Sequence, residues 1–176
     1  GADVLHPDCF SYFEQSAIGF KPCEPMHILL STIGLIDDIA FLFFVNPYVG
    51  NTGLSYAVTL GFKKLYMFGI DNGYRSKEHH HSRLSSYFDE NGNVIDKLKD
   101  AVTSSGELLV PGNFGGEVIS NPIFSLAIKQ METLLCMAKD VCCYNITDGA
   151  KVEGAIPLTL DDIYIKEPSC SKDNIV

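Results

Sequence analysis

Basic residues are scarce in this chain. There are 13 Lys and Arg against 22 Asp and Glu, which gives a net charge of -9 and a pI near 4.9. A binder of duplex DNA or of RNA neutralises phosphates with a basic patch, and no Lys/Arg cluster occurs here, so nucleic acid is not expected as a partner. Long apolar runs are also missing. The longest, Ile28 to Val45, is broken by Asp37 and Asp38, whereas a spanning helix needs about 20 nearly uninterrupted apolar residues. The chain therefore reads as soluble, with no membrane insertion. None of the six cysteines, Cys9, Cys23, Cys136, Cys142, Cys143 and Cys170, stands in a C-x-x-C pair, and Cys142 and Cys143 are adjacent. Reduced thiols in a cytoplasmic protein are the expectation, in preference to a disulfide framework or a zinc site. No basic-then-apolar leader opens the sequence. The start at Gly1-Ala2, without Met, has the look of a tag scar and suggests a chain cut from a longer protein. Internal repeats and low-complexity tracts are absent.

What is present fits one globular domain. A chain of 176 residues that is 46% hydrophobic and 20% charged can bury a full core and little more than one. Residues 1–165 are expected to form that domain and the polar stretch 166–176 a flexible tail. Short continuous apolar runs at Met26 to Thr32, Ala40 to Val45 and Lys63 to Asp71 predict strands covered on both faces. Between the last two, Leu54, Ala57 and Val58 recur at helical spacing behind an Asn51/Thr52 cap, and Gly61 marks a stop. A later helix is predicted over residues 121–138, capped at Ser120 or Asn121, with Pro122 in its first turn and Leu126 and Leu134 inward. A further strand follows near residues 141–146, then a turn at Asp148-Gly149 and a short extended segment. Strands alternating with helices imply an α/β fold of three layers with a mostly parallel sheet.

In such a sheet ligands collect at the carboxyl ends of the strands. The loop after Lys63 to Asp71 is long and dense in polar and aromatic groups: Asp71, Asn72, Tyr74, Arg75, His79, His80, His81, Ser82, Ser86 and Tyr87. Three adjacent histidines cannot all face one ligand, because neighbours on a strand point to opposite sides and neighbours on a helix differ by about 100°. Three readings of the run stay open: a catalytic or substrate-contacting histidine, a solvated structural loop, or a metal site. Asn51-Thr52-Gly53 reads as a helix cap or as a ligand contact. Asn113, among Gly112, Gly115 and Gly116, reads as a tight hairpin first and a backbone approach to ligand second. Asn145-x-Thr147 matches a glycosylation acceptor but carries no weight without a secretory signal.

Four ordered stretches, "YVGNTGLSYAVTLGFKKLYMFGIDNGY", "HHHSRLSSYFDENGN", "VPGNFGGEVISNPIF" and "YNITDGAKVEGAIPL", together resemble the central domain of the motility accessory factor (Maf) proteins, flagellin glycosyltransferases. That domain belongs to a group formerly labelled a domain of unknown function, which also holds archaeal 6-hydroxymethylpterin pyrophosphokinase (MptE)-like enzymes. The likeness runs from about Val45 to Leu158. It implies a Rossmann-like fold related to the bacterial sialyltransferases that use CMP-activated sugars. It places Asp71, Tyr74 and Tyr87 beside the donor phosphate and Asn51, Thr52 and Gly53 at the preceding helix N-terminus. The family's glycine-rich motif of the Gly-x-Gly-x-Ser-Leu type is missing here.

Transfer of a sugar from a nucleotide needs a base for the acceptor hydroxyl and donors for the departing phosphate. His80 or His81, together with Asp71, suits the first task, since a histidine works near neutrality. Tyr74, Arg75, Tyr87, His79 and Asn113 supply candidates for the second. The resulting expectation is a glycosyltransferase that takes a nonulosonic acid from a CMP donor to a protein, such as flagellin, or to a glycan acceptor. No metal or other cofactor is needed for that reaction. An alternative is an ATP-dependent pyrophosphokinase-like enzyme, for which carboxylates near Asp71 and Asp89 would hold Mg. A second alternative is a non-catalytic interaction module that lacks its nucleotide-binding half.

Overall fold

The computed structural model describes residues 25–35, 42–76 and 106–164. The elements are α1 (Pro25–Thr32), α2 (Val49–Thr59), β1 (Lys64–Met67), β2 (Leu108–Pro111), β3 (Glu117–Ser120), α3 (Pro122–Met137), β4 (Cys142–Asn145), β5 (Ala155–Pro157) and a short 3-10 turn (Leu160–Asp162). The fold is α/β. Its parallel sheet runs in the order β1-β4-β5, with Lys64 opposite Cys142, Met67 opposite Asn145 and Cys143 opposite Ala155. A separate antiparallel hairpin joins β2 to β3, with Leu108 opposite Ser120 and Pro111 opposite Glu117.

The sheet positions its site because alternate residues face opposite ways. Met67 and Cys143 turn into the core, where they meet Leu54 of α2, Val118 of β3 and Ile128, Met131, Leu134 and Leu135 of α3. The spacing of those α3 residues draws one apolar stripe down the helix. Tyr66 and Tyr144, on the other face, stack with ring centroids 5.1 Å apart, and the Lys64 ammonium lies 5.3 Å from the Tyr66 centroid. α3 starts where the sequence indicates: the Asn121 side chain accepts from the Ile123 and Phe124 amides, both at 2.9 Å, and Pro122 opens the first turn. α2 stops at Gly61, whose φ of +87° is costly for any other residue. The Gly61 amide donates to the Val58 carbonyl and that of Phe62 to the Ala57 carbonyl.

Four expectations are corrected. Met26 to Thr32 is helical, not extended: the Thr32 hydroxyl donates to the Ile28 carbonyl at 2.7 Å, one helical turn back. A short apolar run has no period that separates a buried strand from a helix. Leu42 to Val45 is not a strand, because Phe44 has a φ of +60° that breaks an extended path; Ala40 and Phe41 lie outside the described residues. α2 is entered at Tyr48 with no side-chain cap, so Asn51 and Thr52 fall inside its first turn. Leu126 is half exposed, since the inward stripe of α3 passes through Ala127 and Ile128. The stretch 166–176 lies outside the described residues.

Candidate functional site

The carboxyl ends of β1 and β4 release two loops, 68–75 and 146–151, and the hairpin tip 112–116 closes over them. Backbone contacts weld the three. The Ala150 amide donates to the Asp71 carbonyl at 2.7 Å, the Asn113 amide to the Gly149 carbonyl at 2.9 Å, and the Tyr74 amide to the Ile119 carbonyl at 2.8 Å. Gly149 is required at its position, because a Cβ there would collide with the Asp71 backbone. Gly73 is confined in the same way, since its Cβ would lie 2.9 Å from a Val118 methyl group.

Beneath this surface runs a buried polar network. Asn113 donates through Nδ2 to the carbonyls of Asn145 at 3.0 Å and Thr147 at 2.9 Å. The Thr147 hydroxyl donates to Asn145 Oδ1 at 2.9 Å, and the Ser120 hydroxyl donates to the Asn72 carbonyl at 2.9 Å. Asn113 is 4% exposed and its Oδ1 has no partner. Asn145 is fully buried. Polar groups at this depth hold a geometry because leaving them unpaired is costly.

Two charged features stand on top. Arg75 donates from Nε to Asp148 Oδ2 at 2.9 Å and from Nη2 to Oδ1 at 2.7 Å, a two-pronged pair across the loops. The pair holds the Asp148 carboxyl below its usual pKa range. Asp71 moves the other way: partial burial of its carboxyl, then the negative charge of Asp148, push its pKa above the ordinary value, although the residue as a whole is exposed.

Of the sequence candidates, the structure thus brings Asp71, Tyr74, Arg75 and Asn113 to one edge. Asn51 is fully buried and donates to the Ala127 carbonyl of α3 at 2.9 Å, and Thr52 donates to the Val45 carbonyl at 2.9 Å. Each side chain is thus tied to a backbone carbonyl. The start of α2 still approaches the site, since a Cβ on Gly50 would lie 3.4 Å from the Ile70 side chain, one residue before Asp71. Gly53 lines an apolar groove of about 300 Å³ between α2 and β1, with Gly50, Ala57, Tyr66 and Phe68. His79, His80, His81, Tyr87 and Asp89 lie outside the described residues. Sequence reading missed Asp148, which it assigned only to a turn, and the Asn145/Thr147 support. Asp148 lies three residues beyond the end of β4, much as Asp71 lies four beyond the end of β1, and that shared position was the available signal.

Among the described residues no cluster of three or more His, Cys, Asp and Glu could hold a metal ion, and no helix is long and apolar enough to cross a membrane.

No protein-family model matches the chain, and no curated protein does. Among solved structures it is similar to the Maf glycosyltransferase from Magnetospirillum magneticum AMB-1, with 25% identity and a TM-score of 0.63. The match covers 89% of this chain and 21% of that one, so the chain spans about a fifth of the length of that enzyme.

Proposed function

We propose that the chain is the nucleotide-sugar-handling domain of a Maf-type glycosyltransferase, acting in the cytoplasm with a CMP-activated nonulosonic acid as donor and a protein or glycan hydroxyl as acceptor. The observation that carries this reading is the assembly of Asp71, Tyr74, Arg75 and Asp148 at the carboxyl edge of a parallel sheet, in a chain 89% of which superposes on part of a glycosyltransferase. In the reaction the acceptor oxygen forms a bond to the anomeric carbon. The bond from that carbon to the phosphate oxygen breaks, and CMP leaves with the electron pair.

The acceptor proton goes to a base. Asp71 is suited to receive it, because a carboxyl with a raised pKa holds a proton better than an ordinary one. His80 or His81, a few positions further along the sequence, is the alternative base. Arg75 neutralises charge on the departing phosphate, helped by the positive end of α2 near Ile70.

A thermal-shift comparison tests the reading, since a ligand that binds only the folded state raises its Tm. CMP is expected to stabilise the protein by about 3–6 °C at a concentration near 10 Kd, and ATP with Mg to leave it unchanged. Stabilisation by ATP with Mg alone would transfer the chain to the pyrophosphokinase class.

A further inference from the structure

We infer that Asp148 is a positioning residue: it lays the Arg75 guanidinium against the glycine turn at residues 112–116, so that the outer N–H groups form a preset seat for a phosphate. This rests on the reading above only for which nucleotide carries the phosphate.

A guanidinium has five N–H donors in a fixed plane. Two of them point to Asp148, which leaves three outside the pair, two on Nη1 and one on Nη2. The plane is set against backbone. A Cβ on Gly112 would lie 3.6 Å from Nη2 and one on Gly116 3.9 Å from Nη1. Both positions are glycine, so neither puts a side chain between the arginine and the backbone. The turn in turn is pinned by Asn113 to Asn145, Thr147 and Gly149.

This pair contributes little to folding. Its side chains are 45% and 62% exposed, and exposed ion pairs are worth little to stability. Its effect falls on the arginine's freedom. An arginine already held in one rotamer loses less entropy when an anion binds, and its fork matches two phosphate oxygens. A chain of net charge -9 repels anions at long range, so a phosphate site here depends on a local cation held in place. The neighbouring Lys151 is engaged with Glu153 at 2.6 Å.

The test is calorimetric titration of the whole chain with pyrophosphate, CMP and cytidine. Pyrophosphate and CMP are expected to bind and cytidine to bind markedly less well. Arg75→Ala should weaken both anions by about 10-fold or more, and Asp148→Ala by about 3- to 10-fold with little change in Tm. The double variant should bind no more weakly than Arg75→Ala alone, and Asp148→Glu should recover part of the loss. Unchanged or tighter anion binding by Asp148→Ala would overturn the inference, as would a wild type that binds neither anion. If pyrophosphate follows this pattern and CMP does not bind, the seat stands and the CMP-sugar reading falls. If CMP binds without regard to either residue, the seat falls and that reading stands.

Discussion

Asp71 is a carboxylate that folding makes harder to ionise, which separates its use from its effect on stability. Its folded pKa is raised by burial and by Asp148, while the unfolded chain restores the ordinary value. Below the unfolded value both states are protonated and nothing is lost. As pH rises through the folded value, the ionised folded state carries a penalty that the unfolded state does not. Asp71→Asn is therefore expected to raise Tm by about 1–3 °C at pH 7 and by nothing at about pH 3 and, under the proposed function, to lower sugar transfer by about 100-fold or more. Scanning fluorimetry at the two pH values checks the first part; a lower Tm at pH 7 would mean that the charge supports the edge. The cysteines separate in a similar way. Cys143 is buried and its thiol is pushed up to about 11, whereas Cys136 is exposed. Iodoacetamide at pH 8 should label Cys136 in the native protein and Cys143 only after unfolding, as read by peptide mass mapping, because the thiolate is the reactive form.

Elements were legible where two local signals agreed. α3 has a long apolar period, a capping Asn121 and Pro122 beside it, and each feature alone would have been weaker. The cap gives a direct check: Asn121→Ala is expected to cost about 1 kcal/mol, seen as a shift in urea midpoint at constant slope. α1 had only a run of apolar residues, and a run of that length fits either state. Asn51 misled for a different reason. A polar residue ahead of an apolar period reads as a cap, yet the chain enters α2 at Tyr48, and Asn51 turns inward to a carbonyl 76 residues away. Nothing near it in sequence announces that partner.

At the scale of the molecule, the parallel pairing of β1 with β4 was foreseeable as a class but not as a register, because register depends on which faces the packed helices bury. The site divides along the same line. Asp71, Tyr74 and Arg75 lie in the loop after β1 and Asn113 sits among glycines, so each could be named from its own neighbourhood. Asp148 acquires its role only when the fold brings the loop after β4 against the loop after β1. The hairpin tip has a consequence of another kind. Asn113 anchors it from below and Gly115 and Gly116 fix its path with φ of +92° and +68°, while Phe114 between them is 44% exposed. Position 114 is thus free to diverge among descendants of this sequence without disturbing the scaffold. A single codon there can be randomised to change the surface of the tip while the backbone beneath it stays put.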